Sequence, residues 1–127
     1  MALMTKEQIF EKVKLIANTL DKKKAKDIKI LYVHDQTVIA DYFVIAHGTS
    51  TTQVKALADE VDYILGENNT PCSSIEGRDG GNWIVLDCDD VLVHVFHSEQ
   101  RSYYNLEKLW ADAELIPFEP DTDPAGE

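Results

Sequence analysis

Apolar positions at the start of this chain follow a helical period. Ile9, Phe10, Val13, Ile16, Ala17 and Leu20 recur at helical spacing behind Thr5, and Thr5 with Gln8 has the spacing of a capping box. The period then changes to that of a strand. Over Asp27–Val33, Ile28, Ile30 and Tyr32 fall on one face and Leu31 and Val33 on the other. After the turn His34-Asp35-Gln36, the apolar run Val38–His47 predicts a strand buried on both faces. Gly48-Thr49-Ser50 breaks it. Ser50 and Gln53 repeat the capping-box spacing, and Val54, Leu57, Ala58, Val61, Ile64 and Leu65 trace a second helix that Gly66 is placed to stop.

The second half is denser in short strands. Cys72–Glu76 predicts a third strand, and Gly77, Gly80 and Gly81 a mobile loop. Trp83–Asp87 and Val91–His97 predict two more strands joined by an acidic turn. Ser98 can cap a last helix carrying Tyr103, Leu106, Leu109 and Trp110. The expected order is α-β-β-α-β-β-β-α, an α/β (α+β) fold with a single mixed five-stranded sheet and helices packed on it. The unit from the second strand through the helix to the third should be a right-handed parallel crossover, and the flanking hairpins antiparallel. Residues 1–117 form the expected domain, and 118–127 an acidic, Pro-rich, disordered tail.

Composition narrows the function classes. A chain of 127 residues, 44% of them apolar, is one domain with its own core. No apolar run reaches membrane-spanning length and the opening MALMTKEQIF lacks a signal-peptide core, so no membrane association and a cytoplasmic location are expected. Cys72 and Cys88 lack CxxC spacing and read as reduced thiols. A net charge of −11 argues against a direct grip on phosphate backbone, so no DNA binding is expected. The same charge suits a basic protein partner, or serves solubility alone.

Candidate chemistry is sparse. Gly48-Thr49-Ser50, between a strand and a helix N-terminus, suits an anion and is similar to the Gly-Ser signature of nucleotidyltransferases. Those enzymes need a carboxylate pair on the next strand to hold magnesium, and Cys72-Ser73-Ser74-Ile75-Glu76 lacks one. The alternative is a helix cap. Asp87, Asp89 and Asp90 cluster at the hairpin tip, where turn chemistry, a cation and a contact surface all remain open. His94 and His97 point to opposite faces of their strand and cannot chelate one metal. No cofactor, metal or catalytic residue is expected. Trp83 opens a strand after Gly80-Gly81-Asn82, as a core residue or as a binding anchor.

The run WIVLDCDDVLVHVFHSEQRSYYNLEKLW, from Trp83 to Trp110, carries a resemblance. An apolar strand, an acidic turn, a strand ending His-x-Phe and a Tyr-x-Leu-Glu-x-Leu-Trp helix resemble the ribosome silencing factors, or Iojap-related proteins. Asp41–Ala46, Gly48–Ser50, Gln53-Val54, Ala58-Asp59 and Glu76-Gly77 fit the same pattern, so the likeness spans roughly Asp27 to Trp110. One departure is Asp89, where that family usually has glycine. Another is Cys88, often a larger apolar residue there. The resemblance implies a nucleotidyltransferase-like fold without the catalytic pair. It also implies a non-enzymatic translation repressor that binds the large ribosomal subunit through its protein fourteen and blocks joining to the small subunit. Trp83 would be the anchor, with Asp87, Cys88 and Asp90 on the hairpin and Tyr104 and Glu107 on the adjoining helix. A homodimer through the same strand face would compete with the ribosome. The rival reading is a nucleotidyltransferase-like, nucleotide-binding enzyme using Gly48–Ser50.

Overall fold

The computed structural model describes residues 5–118. Helix α1 (Lys6–Lys22) begins at Thr5, and both arms of the capping box form with Gln8. Strands β1 (Lys26–Tyr32) and β2 (Tyr42–Gly48) pair antiparallel, and α2 (Thr51–Glu67) follows. Then come β3 (Ser74–Glu76), β4 (Trp83–Cys88) and β5 (Val91–His97). The chain continues through the short helices α3 (Ser98–Tyr104) and α4 (Leu106–Leu109) to β6 (Glu114–Ile116).

These strands make one mixed sheet in the order β3-β4-β5-β2-β1-β6. Its centre is the parallel pair β2–β5, in register from Tyr42↔Val91 to Gly48↔His97. The crossover through α2 therefore leads from β2 to an edge strand, and β4 and β5 return as an antiparallel pair to fill the gap. β3 thus runs parallel to β2, as expected of the crossover, but the parallel neighbour of β2 in the sheet is β5.

The sheet separates two cores. On one face Val44, Ala46, Ile84, Leu86, Val93 and Val95 pack with the apolar stripes of α1 and α2. On the other, Leu31, Val33, Phe43, Ile45 and Phe96 pack with Leu106, and Trp83, Leu92, Trp110 and Ala113 add to them part-buried. Both long helices cover the first face, so among the described residues the second is closed by the short C-terminal helices and by Ala40.

Several expectations change. The sheet has six strands among the described residues, because Glu114–Ile116 pairs with β1; three residues are too few to show a period. The second strand starts at Tyr42 and not Val38. Val33 N–H binds Asp41 O at 2.8 Å, and Gln36 and Thr37 N–H fold back onto Val33 O, so residues 33–41 form a loop with Val38 and Ile39 exposed. The last helix is broken at Asn105, which is left-handed (φ 49°), ends α3 and caps α4 through its side chain. Its first cap is His97 and not Ser98. Phe118, assigned by sequence to the tail, packs on the larger core, and the rest of that tail lies outside the described residues.

Trp110 sits at the end of α4 with its ring edge-on to Phe43, centroids 5.0 Å apart. Trp110→Ala is expected to cost about 3 kcal/mol of stability. Leu109→Ala, at a position 74% exposed, should change it by less than about 0.5 kcal/mol. Urea denaturation of both variants checks the contrast.

Candidate functional site

Strand parity fixes which side chains share the thinly roofed face. Trp83, Val85 and Asp87 of β4 stand opposite Phe96, His94 and Leu92 of β5. Across β5, Phe43 and Ile45 of β2 continue the row. Trp83 opens the row at the α3 end, and Asp87 closes it at the hairpin tip. Four residue steps of strand separate them, about 13 Å.

The aromatic end is a connected stack. The Trp83 ring lies 5.0 Å from Phe96 and 4.6 Å from Tyr104, centroid to centroid. Its indole Nε1–H donates to His94 Nδ1 at 3.1 Å. Phe43 meets His94 edge-on at 5.0 Å. Trp83 is thus half-buried: β3 pairs only with Val85–Asp87, so Trp83 lies at the open edge of β4 as expected, yet its ring is stacked into the face and does not project from it. Tyr104 is 46% exposed and Tyr103 is 80% exposed.

The loop before Trp83 sets its entry. Gly77 has φ +83°, and a Cβ there would collide with the Trp83 carbonyl oxygen. Gly81 N–H closes the loop onto Gly77 O at 3.2 Å. Arg78 forks onto Asp59 of α2 through contacts of 2.8 and 2.5 Å, which hold the Asp59 carboxyl below its ordinary range. The glycine-rich segment expected to be mobile is tied at both ends.

The acidic end combines turn chemistry with free charge. Asp89 takes the left-handed conformation (φ 67°), which a glycine would adopt more easily. Asp87 Oδ1 accepts Asp89 N–H at 3.1 Å, and Asp89 Oδ1 accepts Ser73 Oγ–H at 2.6 Å. Asp90 O accepts Asp41 N–H at 2.8 Å, which ties the tip to the start of β2. Among the described residues nothing bonds the Asp90 carboxylate.

Cys88 departs from its expected role. Its side chain is 0% exposed and points into the core under α1 and α2, because it has the opposite parity to Asp87. It offers no surface to a partner. Glu107 is already paired: its Oε2 accepts from Arg101 at 2.8 and 3.2 Å. Arg101, 6% exposed, also donates to Asp27 O at 2.6 Å and lies 3.0 Å from His47 Nδ1. Sequence reasoning missed this buried arginine, since nothing about an Arg on a polar helix marks it as buried. It also missed Val85 and Leu92, which the period-two count from Trp83 would have found.

The Gly48–Ser50 segment is filled by its own helix. Ser50 Oγ accepts Gln53 N–H at 3.0 Å, and Gln53 Oε1 accepts Thr49 N–H at 2.8 Å. An added Cβ at Gly48 would press on that same Gln53 oxygen at 2.9 Å. Among the described residues no group of three or more His, Cys, Asp or Glu could hold a metal.

His94 has a defined titration. Burial pushes its pKa down to about 4 from the ordinary 6.5. The Trp83 bond makes Nδ1 an acceptor and leaves the proton on Nε2, which is buried without a partner among the described residues. Below about pH 6.5 the unfolded chain protonates this imidazole while the folded chain resists until about pH 4. Stability should therefore fall by on the order of 3 kcal/mol as pH drops through that window. His47, whose pKa is lowered by burial and by Arg101, acts with the same sign. His94→Gln should flatten most of the pH slope in urea melts; an unchanged slope would remove His94 from the account.

Comparison with known proteins gives consistent matches. The family described as ribosomal silencing factor during starvation matches residues 6–127. "Ribosomal silencing factor RsfS" of Bacillus subtilis is 47% identical over 107 residues, 84% of this chain and 91% of that protein. "Mitochondrial assembly of ribosomal large subunit protein 1" of mouse is 31% identical over 88% of this chain and 52% of that protein. A crystal structure of a Chromobacterium violaceum protein superposes with a TM-score of 0.79 at 34% identity, covering 93% of each chain.

Proposed function

The chain belongs to the ribosomal silencing factor family, and from that premise we propose that it represses translation by binding the large ribosomal subunit through its protein fourteen. Occupying that surface excludes the small subunit. The action is steric, involves no covalent chemistry or cofactor, and takes place in the cytoplasm. The mouse relative, named for assembly of the mitochondrial large subunit, supports the choice of subunit.

The observation that carries this reading is the half-roofed sheet face. Trp83, Val85 and Leu92 are only half-buried there, between an exposed Tyr104 and an acidic tip. Aromatic area that loses water on contact is the usual source of binding energy, and carboxylates at a rim govern approach and orientation. We assign the anchor to Trp83 and Tyr104, the charged rim to Asp87 and Asp90, and a secondary rim position to Glu107 beside Arg101. Cys88 contributes beneath the tip, by packing. With a net charge of −11, contact runs through a basic protein and not through RNA phosphates. A homodimer through the same face would compete with this binding.

Purified subunits test the reading by sedimentation. The protein should pellet with large subunits, not with small ones, and should reduce the yield of joined ribosomes. Tyr104→Ala should weaken binding about thirtyfold, the value of a 2 kcal/mol contact, with little change in melting temperature. Asp90→Asn should slow association, and so should added salt, since exposed charges are screened beyond about 8 Å at physiological ionic strength. Equal binding to both subunits, or nucleoside triphosphate turnover abolished by Ser50→Ala, would refute the proposal.

A further inference from the structure

Behind the acidic tip, on the opposite face of the sheet, the two thiols of the chain meet. Cys72 Sγ and Cys88 Sγ are 2.9 Å apart. Cys88 is closed to solvent, while Cys72, in the segment before β3, is half-buried. The backbone holds them there. Ser73 N–H binds Asp87 O at 2.7 Å and Ser73 Oγ binds the Asp89 carboxylate at 2.6 Å, so the residues on either side of Cys88 clamp the neighbour of Cys72. Lys12 Nζ donates to Cys88 O at 2.5 Å.

We propose that Cys72 and Cys88 are a dithiol pair that closes reversibly to an intramolecular disulfide by exchange with a small-molecule disulfide of the glutathione type. A disulfide needs its sulfurs at about 2.05 Å, so closure requires less than about 1 Å of approach from the thiol contact. Cys72 is the attacking sulfur because it alone is reachable. The hydrogen bond from Cys88 lowers the pKa of Cys72, aided by Lys12 and opposed by burial and Asp62. The same hydrogen bond, then burial, raises that of Cys88. The Cys72 thiolate attacks one sulfur of the small disulfide. A mixed disulfide forms, the small S–S bond breaks, and the released thiolate takes up the proton that Cys72 lost. Cys88 then gives up its proton and attacks the Cys72 sulfur, expelling the second small thiolate, which accepts that proton. Two protein thiols are oxidised and one small disulfide is reduced to two thiols. Cys88 needs no access to solvent, because its target is brought to it on Cys72.

The test uses the folded full chain in oxidised glutathione, read by intact mass, thiol counting and a non-reducing gel. The protein should lose both thiols together and the mass of two hydrogens. It should carry no lasting glutathione adduct, stay monomeric on the gel, and recover both thiols with dithiothreitol. Cys72→Ser should leave Cys88 unmodified in the folded state. Cys88→Ala should accumulate the Cys72–glutathione adduct more than about tenfold over the parent, since the intramolecular thiol acts at a high effective molarity. If Cys88→Ala does not fold, the parent and Cys72→Ser decide alone. A stable adduct on the parent with Cys88 still a thiol, a disulfide-linked dimer, or no oxidation at all would overturn the proposal.

Discussion

Seven residues of parallel pairing between β2 and β5, from Tyr42↔Val91 to Gly48↔His97, hold the rest of this molecule in place. Both strands are buried along most of their length, so their side chains feed two cores at once. Among the described residues there are two long helices, and both lie on one face. The opposite face must be closed by what remains: two short helices and the turn that follows them. These cover the β1–β2 side through Leu106, Trp110 and Ala113. The β4 side is left with half-buried apolar side chains. The surface assigned to a partner is a consequence of that unequal roofing.

The aromatic end is packed and hydrogen-bonded despite its partial exposure. Trp83 is held from several sides: by its stack on Phe96, its contact with Tyr104, its hydrogen bond to His94 and the glycine turn that admits its backbone. A large side chain fixed before contact loses little conformational freedom on binding. Trp83 therefore belongs to the fold, and on the proposed reading to the contact surface as well. The choice between core tryptophan and anchor, open from sequence, has no single-valued answer in the structure.

Much of the fold was legible because long amphipathic segments announce themselves. The Thr5 cap, the stripes of α1 and α2, and the alternation of β4 and β5 all appear as read. The failures have local causes. Val38 and Ile39 are apolar but lie in a loop, because Asp41 spends its backbone on Val33 and Asp90. Asn105 breaks a helix whose apolar spacing runs on unbroken, since spacing carries no information about one left-handed residue. Order along the chain did not give order in the sheet, because the β4–β5 pair inserts between the ends of the crossover. At the candidate site the resemblance singled out one segment, and parity sorted its residues: Asp87 faces out and Cys88 faces in.

Oxidative footprinting of the protein bound to large ribosomal subunits tests the central claim most directly. Tyr104 and Trp83 report on the proposed face, and Tyr63 of α2, 60% exposed, reports on the other. The account predicts that the subunit protects Tyr104 and Trp83 from oxidation and leaves Tyr63 as reactive as in the free protein. Protection of Tyr63 with Tyr104 and Trp83 unchanged would contradict it, and would move the contact surface to the helical face.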